Sequence, residues 1–383
     1  MRIAIVYDCL YPHSRGGGER VYRRMAELLA TEGAEVDYLT RSGQADDDHQ
    51  DAFRVVPIWD GEIARLDGTR SIRSALGFAM AVRAALRRRR GDYDVIIASA
   101  LPVLTLLAAR VGAGRGAVIV ADWLEVWTWR KWRSYSGVIA GTVALVLQAL
   151  GSRSAVVHTV NSQFTAERLA AIAPSAQIVV LGLFDLIPPP AAPRPMAAPP
   201  TVVFLGRLIA DKRAVAIPGA IASARTRIPE LRAVIAGDGP ERTAILTEVE
   251  RLGLQHVIDV PGHVDAATAE RLVATAVAMV NPSAREGFGL VVVEAAAVGV
   301  PSVVIAGDDN AAADLIEPGR NGVIAPDLAG LDDAIVDVVN AGPALRRSTV
   351  EWYRSRANEE SLSRSLDRVL ALVAPSTAGR PSR

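Results

Sequence analysis

The sequence predicts an α/β protein of two domains, each a parallel sheet covered by helices on both faces. Three observations carry this. Short runs rich in Val, Ile and Ala alternate with longer helical patterns through most of the chain, the rhythm of strands buried on both faces. That rhythm is interrupted once, by "PPPAAPRPMAAPP" at residues 188–200, where seven prolines in thirteen residues forbid an ordinary helix or central strand. It then resumes, and 383 residues are enough for two sizeable cores.

Taken in order, "IAIVY" at 3–7 reads as a buried strand, 19–32 as a helix and 35–40 as a second strand. Further strands are expected at 55–58, 94–98, 117–121 and 154–159, with helices at 72–90, 103–109 and 166–173. After the proline-rich segment come strands at 201–206, 232–237, 257–260, 277–280 and 302–305. Helices are expected at 214–224, 241–252 and 267–275 and from about Phe288, with a last helical region over 343–373. The predicted organisation is a first domain at 1–187, a linker at 188–200, a second domain at 201–353 and a terminal helix at 354–375.

Composition excludes several functions. Forty-two Lys and Arg balance 42 Asp and Glu, so no global field draws the chain to nucleic acid, and no recognition module accompanies the basic run Arg87–Arg90. That run is either a helix end favoured by the helix dipole or a contact with anionic lipid. A single cysteine, Cys9, rules out an internal disulfide framework and fits a reducing compartment. The opening "MRIAIVYD" reads as a strand rather than a signal segment. The charge-free run 134–152 is broken by Gly137, Gly141 and Gln148, and is expected to be a mostly buried helix, with an exposed or membrane-facing surface as a further option, rather than a membrane span.

The second half carries the strongest motifs. "GRLIADKR" follows a strand and sets Arg207 and Lys212 on one loop, where two cations can approach a diphosphate from two directions. "GDGPE" at 237–241 also follows a strand, and its glycines permit a tight turn. In "PSAREGFGLVVVE", at 282–294, Gly287, Phe288, Gly289 and Leu290 lie at a predicted helix start, where unsatisfied N–H groups can receive phosphate oxygens. Glu286 precedes that turn and Glu294 falls in the helix's second turn, each able to accept hydrogen bonds from sugar or ribose hydroxyls. The plain alternatives are a solvated basic loop, a capping glutamate and an exposed helix face.

The combined pattern resembles the retaining nucleotide-sugar glycosyltransferases of the GT-B fold, family four, the glycosyl transferases group 1. The resemblance rests on "GGGE" at 16–19, "GRL…K" at 206–212, "GDGP" at 237–240, "PSAREGFGLVVVEAAAVGVP" at 282–301 and "NG" at 321–322, so it covers nearly the whole chain. It implies two Rossmann-like domains with parallel sheets facing a central cleft and a terminal helix returning to the first domain. It further implies transfer of a sugar, with retention of configuration, from a nucleotide-diphosphate sugar to a hydroxyl-bearing acceptor: a glycolipid, a polysaccharide precursor or a natural-product aglycone. Neither cofactor nor metal is implied, the nucleotide sugar being a co-substrate. By the same resemblance Arg207 and Lys212 contact the donor diphosphate, Glu294 the ribose, and Glu286 with residues 287–290 the sugar and phosphates. Gly237 belongs to the donor-binding set, and Gly16, Gly17 and Gly18 form a first-domain loop approaching the phosphates.

One departure matters. Many relatives carry a histidine in the loop after the strand that ends here near Ala121, whereas this chain reads "ADWLEVWTWRKW". Asp122 and Glu125 are the candidate replacements for positioning the acceptor or handling its proton; a helix cap or pairs with Arg130 and Lys131 is the plainer reading. Trp123 and Trp127 are candidate acceptor-side aromatics, able to stack on a sugar ring or to pack a core, and His158 a candidate acceptor-side contact or a structural hydrogen-bonder. A cytoplasmic enzyme is expected, with peripheral contact at the inner face of the membrane as a further option. A dehydrogenase is disfavoured because "YDCLYPHSRGGGE" lacks the GxGxxG spacing. A nucleotide-sugar epimerase of the same architecture and a non-catalytic nucleotide-sugar-binding protein are the alternatives.

Overall fold

The computed structural model describes residues 1–14, 16–43, 52–61, 71–114, 116–186 and 196–374; Arg15 and most of the proline-rich segment, expected as a linker, lie outside the described residues. The chain divides into two compact units, Met1–Leu186 with the residues from Glu360 onward, and Ile187–Glu359.

The first unit is built from β1 (Arg2–Val6), α1 (Gly17–Thr31), β2 (Glu35–Arg41), β3 (Arg54–Trp59), α2 (Ile72–Arg88), β4 (Val95–Ser99), α3 (Val103–Ala113), β5 (Val118–Trp123), α4 (Trp129–Gly151), β6 (Val157–Val160), α5 (Gln163–Ile172) and β7 (Gln177–Val180). Its strands pair in parallel in the order β3-β2-β1-β4-β5-β6-β7. Interior strands read as unbroken apolar runs because helices cover both faces: all of "VIIAS" in β4 is buried.

The second unit comprises β8 (Thr201–Leu205), α6 (Ile217–Ala224), β9 (Arg232–Ala236), α7 (Arg242–Arg251), β10 (Ile258–Gly262), α8 (Ala266–Thr275), β11 (Ala278–Asn281), α9 (Leu290–Ala297), β12 (Ser302–Ile305), β13 (Gly322–Ala325) and α10 (Leu331–Glu359). Its six strands are likewise parallel, in the order β10-β9-β8-β11-β12-β13. After α10 the chain re-enters the first unit as α11 (Leu362–Val373), which packs against α1, β6 and β7.

In each sheet the strand order reverses once, between β1 and β4 and between β8 and β11. In open α/β sheets, ligands bind beyond the carboxyl ends of strands at such a reversal. The loops leaving β8 and β11 are "GRLIADK" and "PSAREGFG", so topology alone brings the two strongest motifs to one end of one sheet.

Two expectations need correction, and two strands escape the sequence pattern. The run 134–152 is not a mostly buried helix: only 17% of the most apolar stretch of α4 is buried. The last helical region begins at Leu331, not near Pro343; Gly342 (φ 58°) breaks α10 in mid-course, so the proline marks a kink rather than a start. Strands β7 and β13 go unrecognised in the sequence because four residues, "QIVV" and the glycine-led "GVIA", are too short to establish a period.

Candidate active site

In the second unit the site is assembled around Glu286. Its Oε1 accepts hydrogen bonds from Lys212 Nζ at 2.5 Å, Ser283 Oγ at 3.0 Å and Asn281 Nδ2 at 3.2 Å. The backbone of Glu286 is clamped as well: its N–H donates to the Asp309 carbonyl and its carbonyl accepts from Ala311 N–H. Buried Asn310 donates through Nδ2 to the carbonyls of Ser283 and Ile305, holding the loop after β11 to the end of β12. Lys212 ends a short 3-10 turn, Ala210–Lys212, and a neighbouring pair joins the same two loops, Arg285 to Asp211 at 2.7 Å. The loop after β8 and the loop after β11 are thereby tied by two ion pairs, and the backbone bond from Ala284 N–H to the Asp211 carbonyl is a third link.

The glycines of "GDGPE" are required by contact. Gly237 and Gly239 have φ of 149° and 150°, and a Cβ at either would fall 1.8 Å from the Gly206 carbonyl oxygen or 2.4 Å from that of Leu208. Leu208 N–H donates to the Asp238 carbonyl and Glu241 N–H to the Leu208 carbonyl, so the turn is zipped to the loop bearing Arg207. Arg207 is exposed. Gly289 (φ 98°) is the N-cap of α9, and a Cβ there would stand 2.6 Å from Ala312 Cβ. Gly287, Phe288 and Leu290 are half-buried around it. Glu294 lies in the second turn of α9, half-buried between Val293 and Ala295, both buried, in a helix otherwise free of charge. By contrast, "NG" at 321–322 is structural. Asn321 bonds Glu317 N–H and the Leu315 carbonyl, and a Cβ on Gly322 would meet the Ser302 carbonyl oxygen at 2.0 Å.

In the first unit Gly16 is the N-cap of α1, with Gly17 its first residue. A Cβ on Gly18 would stand 3.1 Å from Tyr7 Oη, and Tyr7 stacks on Tyr22 of the same helix at 4.2 Å. Tyr22 Oη and Thr159 Oγ1 each donate at 2.5 Å to the Asp122 carboxylate, which is 1% exposed at the end of β5. Burial pushes the Asp122 carboxyl above the usual range although both hydroxyls oppose the shift. Asp122 therefore joins the glycine loop's helix to the sheet, and its side chain presents no surface to solvent. Glu125 is half-buried and accepts from Trp127 Nε1.

The acceptor-side aromatics are corrected by burial. Trp123 is 1% exposed in the first unit's core, and Trp127 is buried against Trp132 and Tyr135. His158 is 0% exposed: its Nδ1 accepts from Trp123 Nε1 and its Nε2–H donates to the Ala155 carbonyl, so both ring nitrogens are used. Burial lowers its pKa and keeps it neutral. These residues pack the end of the sheet instead of offering a face to an acceptor.

Two family models match the chain in sequence: "Glycosyl transferase 4-like domain" over residues 16–183 and "Glycosyl transferases group 1" over 199–341. The chain belongs to the group 1 glycosyl transferases. Among curated relatives of this group 1 chain, glycogen synthase of Mycobacterium tuberculosis is 30% identical over 181 residues, 47% of this chain and 42% of that protein. The 2-deoxystreptamine N-acetyl-D-glucosaminyltransferase of Niallia circulans is 26% identical over 168 residues, 43% of this chain and 41% of that protein. The chain thus spans less than half the length of both. Sucrose-phosphate synthase of Thermosynechococcus elongatus matches in structure with a TM-score of 0.81 at 20% identity, covering 97% of this chain and 98% of that one. The fold is GT-B.

Sequence reasoning missed the residues that hold Glu286 in this glycosyl transferase, namely Asn281, Ser283 and Asn310. A signal was available for the first two, since a polar residue closing the apolar strand "AMVN" and a serine in the following turn are positioned to bond a nearby carboxylate. Asn310 is 24 residues beyond Glu286 in sequence and only the packing of β11 beside β12 brings it close. Among the described residues no three His, Cys, Asp or Glu side chains are grouped to hold a metal ion.

Proposed function

We propose that this chain is a retaining glycosyltransferase that moves a hexose from a nucleotide-diphosphate sugar to a hydroxyl-bearing acceptor. The observation that carries the reading is the Lys212–Glu286 pair at the strand reversal of the second unit, beside the glycine-led start of α9. Lys212 and Arg207 would hold the diphosphate, a leaving group that gains negative charge as the sugar C1–O bond breaks. Glu286, fixed by three donors, would accept hydrogen bonds from the sugar hydroxyls, and Glu294 from the ribose. The amides of residues 287–290 would meet phosphate oxygens, and Gly16, Gly17 and Gly18 of the first unit would add backbone amides to the donor. The acceptor oxygen bonds to C1 and its proton leaves to a donor phosphate oxygen or to a protein base.

Asp122 would act by fixing Tyr22 and the glycine-led α1, while Glu125 keeps a role in positioning the acceptor. A cytoplasmic setting with contact at the inner membrane face completes the proposal, and the acceptor class stays as wide as glycolipid, polysaccharide precursor or aglycone.

The deciding experiment combines calorimetric binding of a donor panel with mass spectrometry of products from a cell extract. Lys212→Ala and Glu294→Ala should each weaken donor binding by about tenfold or more while circular dichroism stays native. Wild-type binding and product formation in both variants would reject the assignment. Proton NMR of the fresh product tests retention: the anomeric configuration of the donor should persist, and its inversion would overturn that part of the proposal.

A further inference from the structure

Helix α4 has its polarity inside out. After Thr128 caps its first turn, the helix breaks at Gly137 (φ 78°, ψ 179°) and doubles back. Trp132 Nε1 donates to Gln148 Oε1 sixteen residues on, and a Cβ on Gly141 would stand 2.7 Å from the Trp132 carbonyl oxygen. The buried residues of α4 are Gly141, Gln148 and Gly151, whereas Ile139, Val143, Val146 and Leu150 recur at intervals of four, three and four along the outer face. Ile139 is 84% exposed. A helix facing water carries its apolar stripe inward; here small and amide side chains face in and branched aliphatics face out.

This stripe has the composition of a membrane span but not the geometry. The leg from Val138 to Gly151 rises only about 21 Å at 1.5 Å per residue, against the roughly 30 Å of a hydrocarbon core. An exposed apolar stripe that cannot span requires a covering partner.

Charge selects the partner. Helix α3 packs against both α2 and α4. Every charged side chain on these three helices is Arg or Lys, in a chain whose cations and carboxylates are equal in number. On α2, exposed Ile72, Leu76 and Met80 are followed at the same helical spacing by exposed Arg83 and Arg87. An apolar stripe continued by arginines places aliphatic groups at the acyl boundary and guanidinium groups among headgroup phosphates. We propose that the outer face of α2 and α4 is a monotopic docking surface for an anionic lipid leaflet. The inference deepens the proposed membrane contact; it names the surface and the lipid charge, and it does not need the transfer chemistry to be right.

Flotation of the full chain with vesicles tests it, comparing phosphatidylcholine alone with a three-to-one mixture of phosphatidylcholine and phosphatidylglycerol. The wild type should float with the anionic vesicles and much less with the neutral ones, with the difference shrinking in high salt. The pair Ile139→Glu and Val146→Glu, at exposed positions, should lower anionic-vesicle binding roughly tenfold or more. Arg83→Gln with Arg87→Gln should lower it severalfold. Donor calorimetry on the same variants should be unchanged, which separates failure of this surface from failure of the donor assignment. Absence of flotation by the wild type would overturn the proposal. So would a wild-type dimer in light scattering that the Ile139 and Val146 variant converts to monomer without any change in vesicle binding, since the stripe would then be covered by a second copy.

Discussion

Lys212 and Glu286 are 74 residues apart in sequence and 2.5 Å apart in the structure, a pair that the proposed donor binding would have to reorganise. On the proposed donor role, a diphosphate at Lys212 would compete with the carboxylate for the same ammonium, while Ser283 and Asn281 would continue to hold Glu286 in place. Glu286→Gln keeps the shape but removes the charge, so transfer should fall by at least about tenfold with little change in melting temperature, as read by initial rates and calorimetry. Gly237 lies at the opposite extreme. Its replacement by Ala puts a methyl group 1.8 Å from a carbonyl oxygen at φ 149°, and urea unfolding should register a loss of roughly 1–3 kcal/mol or more. Asp122→Asn should leave donor affinity of the second unit's residues intact while lowering transfer, because Tyr22 loses a charged acceptor. Unchanged transfer would remove Asp122 from any role in the reaction.

At the scale of elements, the edge pair β2 and β3 is pinned by charge. Burial alone would raise the Asp37 carboxyl, but hydrogen bonds from Arg54 and Tyr93, with the charges of Arg54 and Arg89, outweigh it and leave it below the ordinary carboxylate range. The same burial and the Asp37 bond push Tyr93 up to about 12. For a carboxyl lowered on folding, the stabilisation is present above the unfolded value of about 3.9 and is lost as pH falls through the folded one. Asp37→Asn should therefore melt below the wild type at neutral pH, and the gap should close as the pH is taken below about 4 in a thermal series. A constant gap across that range would mean that packing, not ionisation, accounts for the difference. Elements also show where pattern reading works. β1, β4 and β8 were legible because long apolar runs in parallel sheets admit few other readings. β7 and β13 were not, because pairing with a neighbouring strand defines them more than their own residues do.

Across the whole molecule, the chain closes its first unit last. Helix α11 brings buried Leu362, Leu366 and Val369 onto that unit, Ser365 Oγ accepts from Gly182 N–H, and Asp185 caps the entry by accepting from Leu362 N–H. A first unit expressed without residues 360–383 should expose this apolar strip and bind a hydrophobic dye, and Leu366→Ala in the full chain should cost about 2–5 kcal/mol. Dye binding equal to that of the intact protein would show that α11 is an appendage rather than part of the core.

The amino-acid sequence by itself determined the α/β class, the two-part organisation and the glycine and cation motifs that follow β8, β9 and β11, because glycine turns, paired cations and periodic apolar runs are local patterns that survive without their neighbours. Tertiary structure alone decided which polar residues are surface and which are core. Trp123, Trp127 and His158 look like recognition residues in a string and are interior packing in the fold, since burial depends on what the adjacent strands and helices cover. The reverse holds for α4: its apolar run predicts burial, yet a break at Gly137 and a small-residue inner face turn its aliphatic side chains outward. Hydrophobic pattern reports which residues avoid water, but only the packing of the other elements decides which of them succeed.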